Sequence, residues 1–174
     1  MADKFKKILP KDIKDNPFRA LGEDWMLVTA GSLDSYNTMT ASWGGVGVLW
    51  NKDIAFCVIR PGRYTYKFIE KADTFTLSFF TGEYKKALTF CGTHSGRDCD
   101  KAKETGLTAA ETENGSVFFS EARLVLECKK IYFDDFNPVN FLDPEIDEHY
   151  PKKDYHRMFF GEIINVYIKQ EQDT

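Results

Sequence analysis

Two arginines flank a predicted turn in the segment Arg60-Pro61-Gly62-Arg63-Tyr64-Thr65. Guanidinium groups form paired, charge-assisted hydrogen bonds to phosphate oxygens, and the N–H groups at the start of a helix attract anions. Because the pattern of 63–72 predicts a helix, Arg60, Arg63 and Thr65 could together bind a phosphate group. The segment is also compatible with two surface arginines and a hydroxyl that caps the helix.

A second basic cluster lies in 95–101, a predicted loop between two short helices, where Ser95, Arg97 and Lys101 have groups that suit an anion. From 60 to 103, nine basic residues stand against five acidic ones, so this stretch is positive in a protein whose net charge is −4. Such a local field favours one small phosphorylated ligand. Solvated helix faces are the alternative explanation.

Small and hydroxyl-bearing residues dominate the run Asn37-Thr38-Met39-Thr40-Ala41-Ser42-Trp43, which leads into a glycine-rich strand. Small side chains let a ligand approach the backbone, whose N–H and C=O groups can then bind it. The run therefore predicts a ligand contact. A hairpin turn at 35–37, followed by a strand whose hydroxyls face solvent, would give the same pattern.

One histidine, His156, stands just before a predicted strand. An unperturbed imidazole titrates near neutral pH, so it could donate a hydrogen bond to a ligand or exchange a proton with it; a structural role is the alternative. The sequence contains no GxGxxG, P-loop or GxSxG motif. Neither a CxxC pair nor a histidine spacing typical of a metal site is present, so we expect no metal.

Aromatic residues make up 15% of the 174 residues, and these side chains fit pleated, half-buried surfaces. Hydrophobic patterning predicts strands at 25–32, 39–50, 54–59, 74–80, 116–119, 122–133 and 159–169, and short helices at 63–72, 83–90 and 98–105. The segment 134–154 holds seven acidic residues and two lysines, which predicts an exposed loop or lid.

These elements predict a mainly β fold, a small β-barrel with short helices, because closure removes exposed strand edges. A β-sandwich is the alternative. With no repeat or linker, 1–174 is predicted to be a single domain with its core at about 25–169.

The acidic net charge argues against nucleic acid as a partner, and no apolar run is long enough for a membrane helix. The lysine-rich N-terminus has no apolar core of a signal peptide. We therefore expect a cytoplasmic protein whose four cysteines, Cys57, Cys91, Cys99 and Cys128, are thiols.

In their order along the chain, these segments resemble the flavin reductase-like, FMN-binding split-barrel family, and above all its flavoredoxin-type members. The resemblance rests on 37–43, on 60–65, on 95–101, and on His156 five residues before Gly161-Glu162-Ile163 in the last predicted strand. It covers most of the chain, about 25–169. In place of the Gly-Asp-His of many reductases, this chain has Asp154-Tyr155-His156.

The resemblance implies a six-stranded Greek-key split barrel with short helices, a homodimer, and a non-covalent FMN near the subunit interface. By the same resemblance His156 is the candidate catalytic residue, near flavin and nicotinamide. The implied FMN contacts are Asn37, Thr38, Met39, Thr40, Ala41, Ser42 and Trp43 around the ring and ribityl chain, and Arg60, Arg63, Tyr64 and Thr65 with Ser95, Arg97 and Lys101 at the phosphate.

The implied function is that of an FMN-binding oxidoreductase in which NAD(P)H reduces the flavin. The alternative is an electron-transfer flavoprotein that takes electrons from a redox protein partner.

Overall fold

Ten strands and four short helices make up most of the computed structural model, which describes residues 4–170. The strands are β1 (Phe5–Ile8), β2 (Met26–Ser32), β3 (Ser35–Ala41), β4 (Gly44–Leu49), β5 (Lys52–Ile59), β6 (Thr74–Phe79), β7 (Ala109–Glu111), β8 (Val117–Phe119), β9 (Leu124–Asp135) and β10 (Arg157–Lys169). The helices are α1 (Pro17–Arg19), α2 (Tyr64–Lys71), α3 (Lys85–Thr93) and α4 (Lys101–Thr105). Short 3-10 segments include Pro138–Asn140 and Pro144–His149.

Eight of these strands form one antiparallel sheet in the order β3-β2-β6-β9-β10-β5-β4, with β1 also paired to β10. Strands β3 and β4 stand at the two ends of this order, yet residues 42 and 43 alone join them in the chain. A two-residue link spans only about 10 Å, so the sheet must curl until its two ends meet at this corner. Strands β7 and β8 form a separate hairpin.

The mainly β class with short helices is thus confirmed, and one continuous curled sheet replaces the alternative of two packed sheets. Two details were wrong. The main sheet has eight strands rather than six, in part because the four residues of β1 gain their strand form by pairing with the end of β10. The predicted strand 39–50 is two strands, β3 and β4. Residues 35–37, which the alternative interpretation placed in a hairpin turn, begin β3.

The apolar core has two parts, and β2 is buried between them. Met26, Val28 and Ala30 face a cluster enclosed by the curled sheet, where they meet side chains of β6, β9 and β10. Leu27 faces the second cluster, under α3 and the β7–β8 hairpin. Burial on both faces explains why β2 is a nearly continuous apolar run.

The helices cover the sheet corner at which β3 ends. Helix α2 contacts β2 and β3, and α3 contacts β3. Helix α4 begins after Asp100, whose side chain accepts a hydrogen bond from the backbone N–H of Lys103 at 3.2 Å. None of the helices in residues 4–170 is both long and apolar enough to cross a membrane. All four cysteines are free thiols, and Cys57, Cys91 and Cys128 are buried.

Candidate functional site

A cavity of about 340 Å³ opens at the corner between β3 and β4. The last residues of β3 and the link to β4 form one wall, β5 and the turn after it form the second, and His156 closes the site from the start of β10. Its lining residues are Met39, Thr40, Ala41, Ser42, Trp43, Val58, Arg60, Arg63 and His156.

A smaller cavity of about 120 Å³ adjoins the first, and Met39 and Arg63 line both. Its other walls are the start of α2 and the loop after α3. The remaining lining residues are Gly62, Tyr64, Thr65, Thr93, His94, Ser95, Arg97 and Lys101. The two cavities therefore form one groove with a wide end at His156 and a narrow, basic end at Arg97.

Arg63 stands where the two cavities meet. Its Nη2 donates to the carbonyl oxygen of Gly92 at 2.8 Å, which anchors the guanidinium to the end of α3. Burial, and then the charge of Arg60, lower the pKa of Arg63. A guanidinium has five N–H donors, so this anchored group keeps several donors for a ligand in the groove.

The basic end of the groove is built by close packing of the loop after α3 against β3 and α2. The Arg97 guanidinium lies 4.7 Å from the centre of the Tyr64 ring, and its Nη1 donates to the carbonyl oxygen of Gly62 at 3.4 Å. A Cβ at Gly96 would overlap the Asn37 side chain, so only glycine permits this approach. The sequence 95–97 thus brings Ser95 and Arg97 to the groove.

The side chains of three predicted ligand contacts, Lys101, Asn37 and Thr38, form hydrogen bonds within the protein. Lys101, which is only 6% exposed, donates to the carbonyl oxygens of Thr38 and Cys91, each at 2.8 Å. Asn37 Nδ2 donates to Thr65 Oγ1 at 2.7 Å, and the Thr38 hydroxyl lies 2.9 Å from that of Thr29. Burial lowers the pKa of Lys101. These contacts hold β3 against β2, α2 and α4, and they join α4 to α3.

The run 39–43 supplies one wall of the wide cavity, as the small residues predicted. Among the described strands β3 pairs only with β2, so the backbone groups on its other edge lack strand partners. The Thr40 hydroxyl donates to the carbonyl oxygen of Leu88, which fixes the strand to α3. Trp43 is 42% exposed at the cavity mouth. Backbone recognition of a ligand is therefore geometrically available here.

Arg60 does not reach the basic end of the groove. It forms an ion pair with Asp154 at 2.7 Å, donates to the carbonyl oxygen of His149 at 2.8 Å, and lies 4.9 Å from the centre of the Tyr150 ring. The two arginines of 60–65 diverge because a turn after β5, closed by the Arg63 N–H and the Arg60 carbonyl oxygen at 3.0 Å, lies between them. Arg60 lines the wide cavity alone, whereas Arg63 lines both. The geometry therefore separates Arg60 from the predicted phosphate contacts.

His156 is 9% exposed and forms the inner wall of the wide cavity. Its Nδ1 lies 2.8 Å from the Tyr150 hydroxyl, and its ring lies 5.2 Å from that of Trp43. Burial, and then the charge of Arg60, lower the pKa of His156 to about 4. This value is below that of an unperturbed imidazole, because burial and the neighbouring arginines both disfavour the cation.

The prediction that 134–154 is an exposed loop is correct for part of the segment. Val139 and Leu142 are almost fully exposed, but residues 134 and 135 belong to β9. Tyr150 is 1% exposed and packs against Phe141, Tyr155 and His156. The end of the segment thus forms the back of the cavity.

Within residues 4–170 no group of three or more His, Cys, Asp or Glu side chains could hold a metal ion. Cys91 borders the basic end but is buried, and burial raises the pKa of its thiol to about 11. A thiol of that kind is a poor nucleophile at neutral pH.

Residues 18–174 match the family model described as the flavin reductase like domain. The chain belongs to this family. The resemblance inferred from the sequence is thereby confirmed.

Solved structures of this fold include the flavoredoxin of Desulfovibrio vulgaris (Miyazaki F), 24% identical, with a TM-score of 0.66 over 97% of this chain and 80% of that one. The flavoredoxin of Methanosarcina acetivorans is 22% identical, with a TM-score of 0.68 over 97% and 77%. The NADH:FAD oxidoreductase of Streptomyces globisporus C-1027 is 18% identical, with a TM-score of 0.62 over 84% and 77%. These likenesses show the fold.

A protein of Pyrococcus abyssi is 28% identical over 148 residues, which are 83% of this chain and 73% of that protein.

Sequence reasoning missed three features of this flavin reductase-like site, namely Tyr150, Asp154 and the carbonyl of Gly92. Asp154 lies 94 positions from its partner Arg60, and no local pattern connects the two. Tyr150 sits in an acidic, proline-containing segment that is typical of exposed loops. Its place directly before the motif of His156 was the one available signal.

Proposed function

We propose that this protein is an FMN-binding oxidoreductase of the flavin reductase type, in which NAD(P)H reduces the non-covalent flavin. The observation that carries the proposal is the groove itself: a wide cavity lined by backbone, aromatic and apolar groups continues into a narrow basic cavity. A flavin mononucleotide has the same polarity, with a planar ring at one end and a phosphate at the other.

The donor set fits the phosphate at the narrow end. Arg63, Arg97, Ser95 and Thr65 line this cavity, and cationic and hydroxyl donors are those that phosphate oxygens require. Tyr64 stacks on Arg97 and orients its guanidinium. Lys101, Asn37 and Thr38 support the site by holding β3 in place, so their proposed contribution to FMN binding is chiefly through position.

The wide end fits the ring. The backbone of 39–43 offers N–H and C=O groups to the polar edge of the ring, while Met39 and Trp43 offer apolar surface. A bound flavin supplies the hydride and electron chemistry. The protein orients the ring, excludes water with Trp43, and presents the neutral imidazole of His156 and the charge of Arg60 to groups in the cavity.

The donor of electrons separates this proposal from its alternative, an electron-transfer flavoprotein reduced by a redox protein. An NADH:FAD oxidoreductase and flavoredoxins both share this fold. His149 and Tyr150, at the end of 134–154, pack against Trp43 and His156 of the wide cavity. These contacts favour the alternative, because they occupy volume that a nicotinamide beside the flavin would need.

FMN titration of the flavin-free protein, followed by anaerobic addition of NADH or NADPH, tests both statements. We expect stoichiometric uptake of FMN and bleaching of the flavin bands by the nicotinamide. Bleaching by a reduced redox protein alone would favour the carrier, and failure to take up FMN would refute both.

A homodimer is part of the proposal. Val46, Val48, Trp50, Tyr132 and Phe133 leave large apolar side chains exposed on or next to β4 and β9, and such patches are typical of subunit interfaces. Light scattering of the purified protein should give about twice the mass of one 20.0 kDa chain. A monomer at micromolar concentration would contradict this part of the proposal.

A further inference from the structure

Tyr150 is a buried phenol with a defined hydrogen-bond partner. Its ring packs on Phe141, at 6.1 Å between ring centres, and beneath the guanidinium of Arg60 at 4.9 Å. Its hydroxyl meets Nδ1 of His156 at 2.8 Å, and residues 4–170 offer it no other hydrogen-bond partner. A buried hydroxyl without an acceptor is costly, so this contact determines which atom carries the proton.

The tautomer of His156 follows from that requirement. Burial, together with the facing charges of Arg60 and Arg63, keeps the imidazole neutral at pH 7, although Asp154 acts in the opposite direction. A neutral imidazole has one N–H donor and one acceptor nitrogen. Because the Tyr150 hydroxyl must donate, Nδ1 is the acceptor and the proton is on Nε2.

The other ring nitrogen of His156, Nε2, is accessible from the wide cavity. In residues 4–170 the single buried side-chain nitrogen or oxygen without a hydrogen-bond partner is Ser78 Oγ. Nε2 of His156 has no partner in the same part of the chain, so it must be accessible to solvent. His156 is 91% buried and its remaining surface lines the wide cavity. The Nε2–H group is therefore available to a ligand there.

We propose that Tyr150 is a positioning residue, which fixes the tautomer and ring orientation of His156 so that Nε2–H donates a hydrogen bond to an acceptor atom of the ligand in the wide cavity. This inference rests on the proposed function for the identity of the ligand, but its chemical core concerns two side chains of the flavin-free protein.

Long-range proton–nitrogen NMR of the ¹⁵N-labelled, flavin-free protein tests that core. The chain has three histidines, and His156→Gln assigns the signals of His156. We expect a protonated Nε2, a hydrogen-bonded and unprotonated Nδ1, and no titration of this ring between pH 5.5 and 8. A proton on Nδ1, or titration in that range, would overturn the inference.

Tyr150→Phe keeps the aromatic packing and removes the hydroxyl. We expect the Nδ1 resonance to move to the position of an unbonded nitrogen, and FMN-dependent turnover to fall about three- to tenfold, as for the loss of one positioning hydrogen bond. Unchanged imidazole shifts would refute the role of Tyr150.

The matched control is Tyr155→Phe, in the same aromatic cluster. The Tyr155 hydroxyl donates to Asp147 at 2.8 Å rather than to His156, so its removal should leave the His156 signals in place. A change equal to that of Tyr150→Phe would assign the effect to packing. If the protein fails to bind FMN, the proposed function fails, while the NMR result still decides the Tyr150–His156 contact.

Discussion

Two buried polar networks in this fold differ in what their central groups contact. The first surrounds the carboxyl group of Glu127, which is fully buried in β9. Four side chains donate to its two oxygens: Thr112 at 2.5 Å, Asn165 at 2.7 Å, Asn114 at 3.2 Å and Tyr167 at 3.3 Å. The carboxylate is fully buried among these donors, and the network joins the β7–β8 hairpin to β9 and β10.

The second network surrounds the groove. Arg63 uses one N–H group to donate to the carbonyl oxygen of Gly92, and Nδ1 of His156 is hydrogen-bonded to the Tyr150 hydroxyl. The remaining N–H groups of both face a cavity. Burial of polar groups is common to the two regions, whereas a guanidinium and an imidazole beside an open volume distinguish the candidate site from the structural network.

Glu127→Ala should have the largest effect on stability. The substitution leaves four donors without their acceptor and creates a cavity, so we expect a loss of about 3–5 kcal/mol in the free energy of unfolding. Urea denaturation measures it. Glu113→Ala, which removes an exposed ion pair with Lys7, is the control and should cost less than about 0.5 kcal/mol. Equal costs would remove the proposed distinction between the networks.

Arg63→Ala should act on ligand affinity. Losing a charge-assisted contact to phosphate should weaken FMN binding by about 1–3 kcal/mol, which raises the dissociation constant about 5- to 160-fold. Quenching of flavin fluorescence on binding measures the constant. Lys67→Ala, an exposed cation one turn later in α2, should leave it unchanged. An unaltered constant for Arg63→Ala would contradict its place at the phosphate.

The sequence predicted elements well where the signal is local. The apolar run of β2 and the amphipathic pattern of α2 lie within one or two residues of the observed bounds. Strand β1 has four residues and two lysines, and it becomes a strand through pairing with β10, more than 150 positions away. No local pattern contains that partner.

The same limit applies to the candidate site. The types of Arg63, Ser95 and Arg97 predicted a shared anion site, and the structure places them on one small cavity. The contacts of Arg60 and Lys101 could not be predicted from the sequence, because their partners are distant in the chain. Arg60 pairs with Asp154, and Lys101 donates to the carbonyl oxygens of Thr38 and Cys91. Residue type indicates what a side chain can bind; packing decides what it does bind.

The pH dependence of stability gives a third test, directed at His156. Its pKa of about 4 in the folded protein is below the value of about 6.5 in an unfolded chain. Between these values the unfolded chain binds a proton that the folded protein does not, so stability falls as pH falls through this window. We expect wild type to lose about 2 kcal/mol from this residue between pH 7 and pH 5.

His156→Gln should flatten that part of the profile, whereas His94→Gln, in an exposed position after α3, should retain the wild-type slope. Urea denaturation at each pH measures both. Parallel profiles for wild type and His156→Gln would show that His156 is not held neutral.

The smallest expected effect concerns Ser78, which belongs to neither network. Its hydroxyl lies buried in β6 without a hydrogen-bond partner in the described chain. Because an unpaired buried hydroxyl costs free energy, Ser78→Ala should raise the stability by about 1 kcal/mol. Two residues earlier, Thr76 donates to the carbonyl oxygen of Val117 at 2.6 Å, so Thr76→Val should lower it by a similar amount. If both substitutions destabilise alike in urea, Ser78 has a partner in solution, and an unpaired buried group would no longer be a reliable sign of unused binding capacity.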